Sequence, residues 1–246
     1  MRNTYRIPLL LLFTSCLFLT SQPLHAAQNF GMQITSGATL TICDQNADFT
    51  GCTHNATDLN NTVGMLLFNG AVGGWPFNTT VGIGPPSLVP PPDLMNLFGV
   101  SFSTAGAQPI TFLLSVTGNT APLGTVTLLT KSFGTSVLGT TTFTVSTWLS
   151  PLNTTFCANP ACGTLVSTQV YSGFSWGSTV SGSAPTGVGP YAVTLSVMID
   201  THGSADTVLF APIVSRLQNC ATCGQRSALP GSDSLPYLIT SRREWE

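Results

Sequence analysis

An all-β antiparallel sandwich of about ten strands is the fold that this 246-residue sequence predicts. Three observations lead there. Apolar residues alternate with threonine and serine in segment after segment, glycine- and proline-rich punctuation separates those segments, and no stretch carries the 3.6-residue period of an amphipathic helix. Jelly-roll and immunoglobulin-like sandwiches both fit such a pattern, whereas parallel α/β folds lack the helices they need.

The alternation is cleanest in Ile110-Thr111-Phe112, continuing to Val116, in Thr142-Phe143-Thr144-Val145 and in Ala192-Val193-Thr194-Leu195-Ser196-Val197-Met198-Ile199. Threonine suits such strands because its branched Cβ favours extended backbone, and its hydroxyl is expected to face water. Further strands are expected over residues 32–42, 63–68, 77–83, 97–102, 125–129, 165–171, 174–180 and 207–210. Turns are expected at Gly73-Gly74, Gly118-Asn119 and Gly203-Ser204. A proline-rich connector from Pro85 to Pro92 cannot donate ladder hydrogen bonds.

The N-terminus reads as a secretory signal. Arg2 and Arg6 precede an apolar run over residues 7–19, too short to span a bilayer, and small Ala26 or Ala27 fits the residue before the cut. Residues 1–26 are therefore assigned as signal peptide, 27–214 as one sandwich domain, and 215–246 as a poorly ordered tail with four of the five mature Lys and Arg residues. No later stretch is long and apolar enough to be read as a membrane span, so the mature protein is expected to be secreted or at the cell surface. Only 7% of residues are charged, and Lys131 is the sole basic residue between Gln28 and Ser215, so there is no basic footprint for nucleic acid.

Export gives the cysteines their meaning. Loss of Cys16 with the signal leaves Cys43/Cys52, Cys157/Cys162 and Cys220/Cys223, which read as local disulfides because near neighbours meet most often. A ring closed by Cys220 and Cys223 would be the tightest and the most strained of the three, which argues against that pair. The alternative is a zinc site of Cys157, Cys162, Cys220 and Cys223, with His54 or His202 as substitutes, but export favours oxidation.

Other chemistry is sparse. Asp44, Asn46 and Asp48 place three oxygen side chains at alternate positions, as calcium loops do, although the glycine and distal glutamate of an EF-hand are absent. The plain alternative is a hairpin loop whose Asx side chains bond their own backbone, and no cofactor is expected. Gly173-Phe174-Ser175-Trp176-Gly177 matches the serine-hydrolase elbow, with Asp200, His202 and Asp206 as partners, but Ser178-Thr179-Val180 is a poor helix start. Glutamate is missing between Gln28 and Arg243, which argues against a glycoside hydrolase. Asn55, Asn60, Asn78 and Asn153 match the glycosylation pattern at a frequency that abundant threonine explains. Trp75, Trp148, Trp176 and Tyr191 could form a sugar-stacking platform, against the commoner role of aromatic residues as sandwich core.

The order of segments adds a resemblance. Phe68-Asn69-Gly70, Phe77-Asn78-Thr79-Thr80-Val81-Gly82-Ile83-Gly84, Leu94-Met95-Asn96-Leu97 leading into Val100-Ser101-Phe102-Ser103, and a Gly/Ser-rich stretch before Tyr191 to Ile199 resemble the β-rich bodies of exported bacterial proteins of the PEP-CTERM class. The resemblance covers roughly residues 41–212. It implies a surface or matrix protein with no assigned catalysis. That class is expected to close with a Pro-Glu-Pro motif, an apolar helix and a short basic end. Residues 235–246 read Leu-Pro-Tyr-Leu-Ile-Thr-Ser-Arg-Arg-Glu-Trp-Glu instead, so only the body resemblance is carried.

The expected function is thus a non-catalytic structural or interaction module of the envelope or extracellular matrix, with other matrix components, including polysaccharide, as partners. A carbohydrate-binding module, with or without calcium, is the alternative, and an exported serine hydrolase the third.

Overall fold

A computed structural model describes residues 28–88 and 93–217. The assigned signal peptide, the Cys220/Cys223 pair and nearly all of the assigned tail lie outside the described residues.

Among the described residues there are thirteen strands: β1 (Asn29–Ser36), β2 (Ala38–Cys43), β3 (Met65–Val72), β4 (Trp75–Ile83), β5 (Asp93–Phe102), β6 (Ile110–Asn119), β7 (Gly124–Ser136), β8 (Thr142–Ser150), β9 (Thr164–Ser172), β10 (Ser175–Gly187), β11 (Tyr191–Asp200), β12 (Thr207–Phe210) and β13 (Ile213–Leu217). They form two antiparallel sheets, ordered β2-β1-β6-β11-β8-β9 and β10-β7-β12-β5-β4-β3, with β13 sharing the slot of β12 between β5 and β7.

The pairing decides between the two expected sandwiches. β8 pairs with β9, β7 with β10, β6 with β11, and β5 with β12 and β13, so four strands and their returns nest as one long rolled hairpin. That nesting is the jelly roll, and the immunoglobulin-like alternative falls away. The hairpins β1-β2 and β3-β4 widen the two sheets beyond β6 and β5.

Three differences from the expected strands have physical causes, one local and two from tertiary pairing. Residues 32–42 are not one strand, because Gly37, at φ +71°, turns the chain back between Ser36 and Ala38. β10 runs on through the glycine- and serine-rich stretch to Gly187, where tertiary pairing with β7 overrides weak propensity. β13 was not expected at all. Ala211-Pro212 interrupts β12, but the chain stays in the same slot and pairs through Leu217, three residues past Val214.

Between the sheets, a file of rings joins Phe68, Phe77 and Phe112 edge to face and Phe112 to a tilted Phe210, with successive centroids 5.9, 5.7 and 4.9 Å apart. Toward β9 and β10 the filling changes character. There Thr130 bonds Thr147 at 2.7 Å and Ser167 at 3.1 Å, and Ser132 bonds Gln169 and Tyr171, both at 2.8 Å. The expectation that threonine hydroxyls face water therefore fails for the inward row. These hydroxyls satisfy one another across the sandwich, which makes their burial affordable.

The opposite side, between edge strands β2 and β3, is closed by a covering segment. Asn55 Oδ1 accepts the Thr41 amide at 2.6 Å and Asn55 Nδ2 donates to the Thr39 carbonyl at 3.1 Å. Asp58 Oδ1 accepts the Leu67 amide at 3.0 Å, and the Leu59 amide donates to the Leu67 carbonyl, also at 3.0 Å. Both exposed ladders are thus partly occupied, a protection against edge-to-edge pairing. Asn55→Ala should lower stability by about 1 kcal/mol, read as a fall of roughly 2–4 °C in Tm. An unchanged melt would show that Asn55 does not hold the β2 edge.

Candidate functional site

The elbow residues do not assemble. Ser175 begins β10 and is exposed, and the chain after it continues as strand, so no strand-turn-helix forms. His202 lies in the turn after β11 at φ +52°. Its backbone amide donates to Asp200 Oδ1 at 2.7 Å, its Nδ1 is 3.4 Å from Asp200 Oδ2, and its Nε2 is 3.1 Å from Thr142 Oγ1. Both ring nitrogens therefore face Asp200 and Thr142, with Ser175 not among their partners.

Asp206 serves elsewhere. It lies at a rim depression of about 200 Å³ lined by Phe102, Ser103, Val137, Leu138 and Thr207. Its Oδ1 accepts the amides of Val137 at 3.1 Å, Leu138 at 3.1 Å and Thr207 at 2.7 Å. Its Oδ2 accepts Ser136 Oγ at 2.5 Å and the Thr141 hydroxyl. Burial works against its charge, yet hydrogen bonds from Ser136, Thr141, Leu138 and Thr207 outweigh it and hold the carboxyl below the usual carboxylate range. A carboxylate this fully engaged pins the turn between β7 and β8 and has no capacity left to orient a histidine.

The three proposed calcium ligands diverge. Asp44 Oδ2 accepts the Gly64 amide at 2.8 Å, while Asp48 Oδ1 takes His54 through its amide at 2.9 Å and Nδ1 at 2.5 Å. Asn46 exchanges two bonds with Asp58, accepting its amide at 2.7 Å and donating to its carbonyl at 3.1 Å. Burial, reinforced by the nearby negative charge of Asp58, raises the Asp44 carboxyl above its ordinary range. No group of three His, Cys, Asp or Glu side chains suited to a metal occurs among the described residues. The organiser is Asp58, which the sequence did not single out. Only 3% exposed, it gathers the amides of Gln45, Asn60 and Leu67.

Disulfides join Cys43 to Cys52 and Cys157 to Cys162, which removes two thiolates from the zinc alternative and favours a compartment outside the cytoplasm. The loops they close meet over the outer face of the first sheet. Thr155 Oγ1 donates to the Thr50 carbonyl at 2.8 Å, and the Phe156 amide to Ser115 Oγ at 3.3 Å. Gly31 is the seat of this roof: a Cβ there would lie 3.0 Å from Cys52 Sγ, 3.1 Å from the Phe156 ring and 3.3 Å from the Phe49 ring.

Beyond the roof that face is open, and strand register orders it in rows. One row runs Val170, Thr144, Met198, Thr111, Thr35, Thr39, and the next Thr168, Ser146, Ser196, Leu113, Gln33, Thr41. Trp148 stands half-buried in the third row, between Leu165 on β9 and Thr194 on β11. Hydroxyls pair along the rows, Ser146 with Thr168 at 2.9 Å and Thr35 with Thr39 at 3.1 Å. These rows carry no Lys, Arg, Asp or Glu, and Asp200 stands at their end, paired to Thr142.

Of the expected aromatic platform, only Trp148 lies on this face. Trp75 is wholly buried and donates to the Gln108 carbonyl at 2.7 Å, and Tyr191 is wholly buried and donates to the Ala121 carbonyl at 2.9 Å. Trp176 stacks on Tyr171 at 4.3 Å and packs against Phe143 at 4.8 Å. Two of the glycosylation-pattern asparagines are structural: Asn55 caps β2, and Asn153 Oδ1 accepts the Gly118 amide at 2.7 Å.

No family model and no curated protein matches the chain. Among solved structures, the K1 cleaved adhesin domain of Lys-gingipain from Porphyromonas gingivalis W83 is similar at a TM-score of 0.36 and 10% identity, covering 66% of this chain and 95% of that one. The CBM22-1–GH10 modules of xylanase 10B from Clostridium thermocellum, complexed with xylohexaose, match at a TM-score of 0.31 and 16% identity, over 59% of this chain and 26% of that one. A structure described as CBM4 matches at a TM-score of 0.30 and 8% identity, over 62% and 86% of the respective chains. Likeness at this level carries over no ligand and no residue role.

Proposed function

We propose that this chain is an exported, non-catalytic interaction module of the envelope or extracellular matrix that takes neutral polysaccharide on the outer face of its first sheet. One observation carries the reading: rows of hydroxyl side chains without charge, bordered by the half-buried indole of Trp148 and ending at the two-disulfide roof. A neutral sugar offers hydroxyls to such rows and an apolar ring face to an indole, whereas an anionic ligand would find no Lys or Arg along them. The disulfides support the exported setting, and the resemblance of the body to PEP-CTERM-class proteins supports the matrix location.

The test is binding of the oxidised protein to neutral and anionic polysaccharides by calorimetry or pull-down. Neutral chains should bind, and Trp148→Ala should weaken them about 30-fold, the effect of losing an aromatic anchor worth roughly 2 kcal/mol. Anionic chains alone binding, or Trp148→Ala binding as wild type, would sink the proposal.

A further inference from the structure

The second sheet presents a different outer face. Register sets Leu67, Val81 and Phe98 in one line across β3, β4 and β5, and the Ala211 amide bonds the Phe133 carbonyl, so Phe133 continues that line on β7. Ile83 flanks the line on one side and Leu209 on the other, both half-buried. Phe98 is 38% and Phe133 50% exposed, large values for phenylalanine on an ordered strand. Lys131 is the one charged side chain described on this face. The flanking rows also hold Thr79, Asn96 and Thr135, but the line from Leu67 to Phe133 is an unbroken apolar stripe with two exposed phenylalanines, and such a stripe marks an interaction surface.

The geometry points to a second copy of this chain as the occupant, packed face to face about a twofold axis. Six strand positions at about 4.8 Å spacing and three rows at about 7 Å give roughly 500–600 Å² of projected face per copy. Two copies then bury on the order of 1,000–1,200 Å², at the threshold of about 1,000 Å² that a specific interface must clear. A nearly uncharged face is its own complement, because an isologous pairing brings no like-charged cluster together apart from Lys131 on its flank. Face-to-face stacking is also the ordinary way two sheets pack, about 10 Å apart. The competing edge route is partly blocked at β3, whose Leu67 backbone is taken by Asp58 and Leu59.

Sedimentation and light scattering of the oxidised protein at about 1–100 µM should find a dimer. Phe98→Asp and Phe133→Asp should each raise its dissociation constant at least ~100-fold, the size of a central hot-spot loss. Phe98→Thr, which suits a strand, should raise it in the same direction, with an unchanged circular dichroism spectrum in each case. Val188→Asp, at a fully exposed loop position remote from these rows, should leave the dimer intact. A monomer throughout the range overturns the inference. So does a dimer indifferent to Phe98→Asp, or a monomer that dimerises only when the chain is ended after Leu217, since the C-terminal segment would then be the occupant.

Discussion

Asp206→Ala is expected to destabilise the sandwich by about 3–5 kcal/mol, the largest single-site effect foreseen in this protein. The carboxylate receives three backbone amides and two hydroxyls, so its removal strands the buried Ser136 and Thr141 hydroxyls and takes the acceptor from the part-buried amides of Leu138 and Thr207, while the Val137 amide keeps the Thr207 carbonyl. Asp206→Asn keeps the shape but turns one acceptor into a donor that faces other donors, and about half the loss should remain. The charge sets the pH dependence. Because the folded carboxyl titrates below its ordinary range, its stabilisation is complete above the unfolded value near 3.9 and drains away as pH falls through the lower folded value. Urea melts of wild type and Asp206→Asn should differ by a constant amount from about pH 5 to 8 and converge below about pH 4. A gap that stays constant as the pH falls would show that the difference does not come from the carboxylate's charge, and a loss under about 1 kcal/mol for Asp206→Ala would show that the cluster is ornamental.

The fold was legible where burial is one-sided. Ala192 to Ile199 alternates because β11 sits in mid-sheet with one face in the core, and a period of two then follows from geometry. Legibility failed where tertiary pairing does the work. β13 is a five-residue strand next to a proline and near a change in composition, and nothing local marks it. Likewise β10 is mostly Gly and Ser, held by its register with β7 and by a close approach in which a Cβ at Gly182 would strike the Val166 carbonyl.

The candidate site divides the same way. Cys43 and Cys52 could be paired from spacing alone, because loop closure favours near neighbours. Asp58 could not be ranked above Asp48, since both sit beside turn residues and only the fold decides which is buried. The rows on the first sheet were also invisible, because they join residues from Thr35 to Met198 that meet only through register. The one available sign was the lack of charge along these strands, which excludes partners more readily than it selects one.

Replacing Cys43 and Cys52 together by alanine should cost about 3 kcal/mol. Most of this is the freedom regained by an unfolded ring with a sequence separation of 9, and the remainder is packing lost where both cysteines are fully buried. The effect should also spread to the second loop. Phe49 and the Cys52 sulfur share the seat at Gly31 with Phe156, and Thr155 holds the Thr50 carbonyl, so loosening one loop removes a wall of the other. Opening of the Cys157–Cys162 ring itself, with a separation of 5, should cost less, about 2 kcal/mol. Hydrogen exchange reads the coupling directly. In the double alanine variant, amides of residues 44–58 and 151–163 should lose at least ten-fold more protection than those of β5 and β7 in the second sheet, which should follow the change in global stability alone. Unchanged exchange in residues 151–163 would mean that the two loops are independent lids. The hydroxyl rows would then end at a boundary set by each loop alone, and the roof could not act as one wall of a binding face.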